Sequence, residues 1–151
     1  MTRKEKAMQS FLDGYNCSQC MILAFEDLIN IDVQQALKIA SPFGGGMGRM
    51  REVCGTVSGM AFLAGAISPA VDPSNLEERK ANYALVQRFA DTFRSENGNI
   101  VCRRLLGLES MVERAETPMP SERTAEYYKK RPCVEYVGCA ARIVAEYLQK
   151  M

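Results

Sequence analysis

Six cysteines stand in a chain of 151 residues that contains no histidine. The missing imidazole removes Ser-His-Asp and Cys-His catalysis, mixed Cys/His zinc sites and His-ligated haem. Any metal held here must rest on thiolate, with carboxylate as a minor partner. Soft thiolates select iron–sulfur clusters, zinc or copper(I). Without metal, the same thiols can form reversible disulfides, provided that their surroundings stabilise thiolate.

The neighbours of four of them supply such surroundings. Cys17 follows Asn16 at the start of a predicted helix. Cys54 is expected in the first turn of another, close to Arg49 and Arg51. Cys102 follows Asn97-Gly98-Asn99 and precedes Arg103 and Arg104. Cys133 follows Pro132, a residue suited to a helix's first turn, with Lys129, Lys130 and Arg131 just before it. Unpaired N–H groups and the helix dipole favour an anion at each start. Four helix N-termini converging on one point would offset the charge of a thiolate-ligated metal or cluster. Cys17 and Cys20 form a C-x-x-C that puts both thiols on one helical face, the geometry of a reversible dithiol. No βαβ pattern accompanies it. Cys20 is either a redox partner or spare ligand, or core packing; Cys139, inside the apolar stripe VGCAARIVAEYL, reads as core.

The stretch PFGGGMGRMREVCGTVSG raises a phosphate-loop reading and argues against it. Gly44, Gly45, Gly46 and Gly48 lack the G-x-G-x-x-G phase and follow a predicted helix instead of a strand, and Gly48 precedes Arg49 where a nucleotide loop needs lysine. A flexible turn is one alternative. The other is a loop whose backbone, at Gly45, Gly46 and Gly48, must approach something closely, a cofactor beside Cys54 included. Gly55 and Gly59 fall one turn apart, which suits close helix packing or space cleared for that cofactor.

These residues need helices to position them, and no period-2 strand is found. Thr2 and Glu5 have capping-box spacing for a helix to Leu12. The second helix is expected from Cys17 to about Ile29, and the third from Asp32 to Ala40. A fourth, apolar on all sides, begins near Glu52 and runs toward Pro69. Ser74 and Glu77 suggest a capping box for a long helix to about Ser95. A short helix around Cys102 ends at Gly107, residues 108–122 read as an irregular loop, and helices follow over Ser121–Lys130 and Cys133–Gln149. The fold class is all-α, one domain over residues 1–151, a bundle of six to eight helices.

Composition bounds the rest. A net charge of +1 argues against nucleic-acid binding. The window Val57–Val71 is too short and broken to span a bilayer, which needs roughly 20 apolar residues. The N-terminal stretch has no signal-peptide core, so a cytoplasmic location is expected, where thiols stay reduced.

Four motifs in order, GYNCSQ, FGGGMGR…CGTVSG, ENGNIVCRRLLG and PCVEYVGCAARIVAEYL, resemble the redox-active protein family named for its C_GCAxxG_C_C pattern. The resemblance runs from about Gly14 to Leu148. It places the family's four cysteines on Cys17, Cys54, Cys102 and Cys133, and its Cys-Gly-Ala-x-x-Gly core on Cys54, Gly55, Thr56 and Gly59, with Thr56 replacing alanine. A related domain in split-Soret cytochromes implicates an iron–sulfur centre; the haem part of that analogy has no ligands here. The leading expectation is therefore a redox protein that binds an iron–sulfur cluster, most simply 2Fe-2S, through those four cysteines and passes electrons to a redox partner protein. A metal-free thiol–disulfide oxidoreductase or redox sensor is the alternative, and a zinc-stabilised interaction module a third. A homodimer suits a bundle of this size.

Overall fold

The structure is a computed structural model that describes residues 1–108 and 117–151. It is all-α: eight helices among the described residues, and no strand. They are α1 (Arg3–Leu12), α2 (Cys17–Ala24), α3 (Val33–Ala40), α4 (Gly55–Ile67), α5 (Leu76–Asn97), α6 (Cys102–Leu105), α7 (Ala125–Lys130) and α8 (Cys133–Gln149). Gly44–Met47 also coils, but Gly45 (φ 67°) and Gly46 (φ 72°) turn it left-handed, and it is not counted with them.

Local chemistry accounts for most of the helix ends. Thr2 accepts from the Glu5 N–H while the Glu5 carboxylate takes the Thr2 N–H, a closed capping box. Asn16 and Gln19 close a second one at the start of α2. That helix stops at Ala24, short of the expected Ile29. The Arg3 guanidinium donates to the Ala24 carbonyl, stacks over the Phe25 ring and pairs with Asp27, which captures the carbonyl that a further turn would need. Glu26–Leu28 continues only as a 3-10 turn. Helix α5 is capped by Asn75, which accepts from Glu78 N–H, because Ser74 is engaged with the Asp72 carboxylate. Helix α7 starts at Ala125, later than the expected Ser121, and is capped by Thr124, which accepts from the Tyr127 N–H. The irregular loop expected over 108–122 lies in part outside the described residues, at 109–116.

The central element is α4, buried on most sides as its composition demanded. It packs against α2 and α5, while α8 lies against α1 and α5. Phe11, Phe25, Met21, Met60, Leu63, Phe89, Phe93, Val137 and Val144 fill the space between them. A smaller cluster of Ile22, Ala36, Leu37 and Ala40 seats α3 on α2. Among the described residues no helix is long and apolar enough to cross a membrane.

Gly59 is where α4 and α2 come closest. A Cβ there would lie 2.7 Å from Met21 Cβ and 3.2 Å from the Ser18 carbonyl oxygen. Overpacking of this kind typically costs about 1–3 kcal/mol. Gly59→Ala should lower the urea midpoint accordingly, whereas Gly65→Ala, whose Cβ would meet nothing within 4 Å, should not.

Candidate functional site

Cys54 enters the site through a short backbone bridge. Its N–H donates to Ile100 O at 2.8 Å, the Cys102 N–H donates to Glu52 O at 2.6 Å, and Val53 pairs antiparallel with Val101. Residues 52–54 are therefore extended, and α4 begins at Gly55 instead of near Glu52. Cys54 is consequently the residue that caps α4, one position before its first turn. Arg103 reinforces the bridge from its far side, its guanidinium donating to Arg51 O, Met50 O and the Glu52 carboxylate.

The other three cysteines are the first helical residues of α2, α6 and α8. Asn16 and Gln19 hold Cys17 in place by donating to Ser41 O and Leu37 O. The four thiols, Cys17, Cys54, Cys102 and Cys133, line one cavity of about 370 Å³. Its wall includes Gly44, Gly45, Gly46, Gly48 and Gly55, and the guanidinium-bearing residues Arg49, Arg51, Arg123 and Arg131.

The glycines stand where a side chain would intrude. A Cβ on Gly46 would sit 2.6 Å from Cys102 Cβ, and one on Gly55 would sit 2.6 Å from Phe43 O and 3.3 Å from Cys17 Cβ. The loop stays left-handed through Met47, Gly48, Arg49 and Arg51. Its turns are tied by Gly48 N–H to Pro42 O, Arg51 N–H to Gly45 O and Glu52 N–H to Gly46 O. The last of these turns the Arg51 side chain inward, where it is 6% exposed and its Nη1 lies 3.7 Å from Cys102 Sγ.

Two of the expected site residues, Gly59 and Cys20, fall outside the cavity wall, and Cys139, read as core, packs half-buried against the core. Gly59 packs on Met21 and does not reach the cavity. Cys20 is fully buried, its thiol donating to Tyr15 O at 3.7 Å, and burial pushes it up to about 12. Cys139 lies on the α5–α8 seam, where its sulfur takes an N–H from Asn97 at 3.4 Å and one from Arg142. Conversely, Arg123, Tyr127 and Tyr136 line the cavity without any signal in the sequence beyond their residue type. Arg123 donates to Phe11 O and Tyr15 O and stacks over the Phe11 ring. With Arg49, which donates to Thr117 O and Ser121 Oγ, it fastens the stretch 117–124 across the cavity mouth.

The thiols differ electrostatically. The neighbouring Cys133 thiol, together with burial, raises Cys17 well above the ordinary thiol value. The Cys17 thiol in turn pulls Cys133 down to about 7, with Arg131, Arg51 and Arg123 adding to it against the cost of burial. Burial pushes Cys54 up to about 11, resisted by the hydroxyl and N–H of Thr56. Cys102 is raised by burial and held back by Arg51. Among the described residues, no three Cys, Asp or Glu side chains gather tightly enough to chelate one ion. The four thiols share their cavity with Arg49, Arg51, Arg123 and Arg131, cations that suit the negative charge of thiolate ligands.

An all-helical frame that points four cysteine-bearing helix starts into one cavity defines a thiol-centred protein. The chain matches, over residues 15–147, the family model described as Putative redox-active protein (C_GCAxxG_C_C), and it belongs to that family. No curated protein and no solved structure matches it.

In reduced, metal-free protein Cys133 should react first. Its alkylation by iodoacetamide, followed by peptide mass mapping, should rise to half its plateau near pH 7. Cys54 and Cys20 should stay largely unmodified until well above pH 9. Arg131→Gln removes a cation that favours the Cys133 thiolate and should move its half-point upward in pH.

Proposed function

We propose that this chain is an electron-transfer protein that holds an iron–sulfur cluster, of the 2Fe-2S type, on Cys17, Cys54, Cys102 and Cys133. The observation that carries the reading is the shared cavity: four thiols from four helix starts face about 370 Å³ of space. A disulfide needs no such volume. When bound, the cluster supplies one-electron oxidation and reduction.

The chain's own residues would do the rest. Cys54 and Cys102, buried beneath the glycine loop, keep water from two ligand positions. Arg51, Arg123 and Arg131 line the cavity and offset the negative charge of four thiolates and bridging sulfides. The left-handed loop brings its backbone, in place of side chains, up to Cys102 and Arg51. A redox partner protein would deliver or remove the electron, in a compartment that keeps thiols reduced.

One observation favours a second reading: Cys17 and Cys133 line the same cavity, and each thiol shifts the other's titration in the opposite direction. In that case the Cys133 thiolate attacks one sulfur of a substrate disulfide and expels the first thiol. Cys17 then displaces the second thiol and closes a Cys17–Cys133 disulfide, so that the substrate gains two electrons and two protons.

Protein purified without oxygen should contain iron and acid-labile sulfide in equal amounts, with visible absorption that dithionite bleaches. Cys54→Ser should lose most of the iron and Cys139→Ser should keep it. Iron-free protein that forms a Cys17–Cys133 disulfide with a small disulfide oxidant would select the second reading instead.

A further inference from the structure

Thr56 carries a polar group that nothing in the fold consumes. It is the second residue of α4, it is fully buried, and its Oγ1 has no conventional hydrogen-bond partner. A threonine in a helix usually returns its hydroxyl to the carbonyl four residues back. Here that residue is Glu52, which lies outside the helix in the extended bridge, its carbonyl accepting the Cys102 N–H at 2.6 Å. Cys54 stands two residues before it, at the cap of the same helix, and Thr56 is what holds the Cys54 thiol down against burial. The cap bond stays open: Cys54 forms no side-chain hydrogen bond of ordinary geometry at the start of α4.

A buried hydroxyl is kept where it has an acceptor, and a neutral thiol is a poor one. A ligand thiolate is a much better one, and charge-assisted hydrogen bonds are about twice as strong as neutral ones. The acceptor strengthens further when an electron is added, because negative charge on the sulfur grows. A donor at that sulfur therefore stabilises the reduced state more than the oxidised state and raises the reduction potential.

We propose, on the cluster reading above, that Thr56 is a positioning residue of the site. Its hydroxyl donates to the Cys54 sulfur and sets the reduction potential of the cluster held there. The role follows from placement: Thr56 is two residues beyond Cys54, sealed from water, and without a competing acceptor.

Thr56→Val keeps the shape and removes the donor, while Thr56→Ser keeps the donor. All three holoproteins, matched in iron content, should be titrated electrochemically and examined by resonance Raman for the iron–thiolate stretches. The valine variant should take up electrons less readily. At a fixed poise its reduced-to-oxidised ratio should fall about tenfold, equivalent to about 59 mV for one electron, with an iron–thiolate stretch moved to higher frequency. The serine variant should restore both. A valine variant with full iron content and unchanged potential and stretch would overturn the proposal alone, even if its melting temperature moved. Wild-type protein free of iron and sulfide would overturn the cluster reading and this proposal with it.

Discussion

Two backbone hydrogen bonds, from Cys54 N–H to Ile100 O and from Cys102 N–H to Glu52 O, hold the site together. They join stretches far apart in the chain, and they do so immediately before the helix starts that carry two of the thiols. By consuming the backbone groups of residues 52–54, the bridge decides that α4 cannot begin before Gly55. By extending residues 100 and 101, it decides that α6 begins at Cys102. The two sulfurs are thus fixed relative to one another by main-chain geometry, without help from side-chain packing. Arg103 locks the same junction by filling three acceptors around it. Cys17 and Cys133 then join from the other side, carried by α2 and α8, which are held by the core on either side of α1.

The glycine loop follows from that bridge. The chain must leave α3, pass the cavity and arrive extended at Glu52, and the space beside Cys102 and Phe43 admits no side chain. A left-handed path solves the problem at little cost for Gly45, Gly46 and Gly48. It is more expensive at Met47, Arg49 and Arg51, where positive φ costs a residue with a Cβ about 1–2 kcal/mol. The compensation is visible: the loop's N–H groups return to Pro42, Gly44, Gly45 and Gly46 carbonyls, and the arginines that carry the strain face the cavity or fasten the strand of chain that crosses it. Strain of this kind persists where the surrounding structure holds it, here at the wall of the thiol cavity.

The parts legible in the sequence were those set by neighbours in the chain. Capping at Thr2 and at Asn16, the stop at Gly98, and the start of α8 after Pro132 all depend on residues within one turn. So did the idea that Cys17, Cys54, Cys102 and Cys133 sit at helix starts. Long-range partners decided what the sequence left hidden. Arg3 shortens α2 from outside it. The Val53–Val101 bridge moves the start of α4 and makes Cys54 a cap. Arg123 reaches the cavity across 112 positions from Phe11, which no local pattern announces. Gly59 shows the same limit in reverse, since a glycine one turn beyond Gly55 looks alike in sequence whether it meets a cofactor or, as here, Met21.

The balance between burial and positive charge explains why the four thiols are unequal and what that inequality suits. Burial alone would raise all four thiols. Cys133 escapes because the Cys17 thiol and three arginines act on it together, while Cys54 and Cys102 have only weaker help from Thr56 and Arg51. A reagent thiol needs only the first arrangement. On the cluster reading proposed above, the raised thiols would be ligands that give up their protons only to a metal, since thiolate is the form a metal takes.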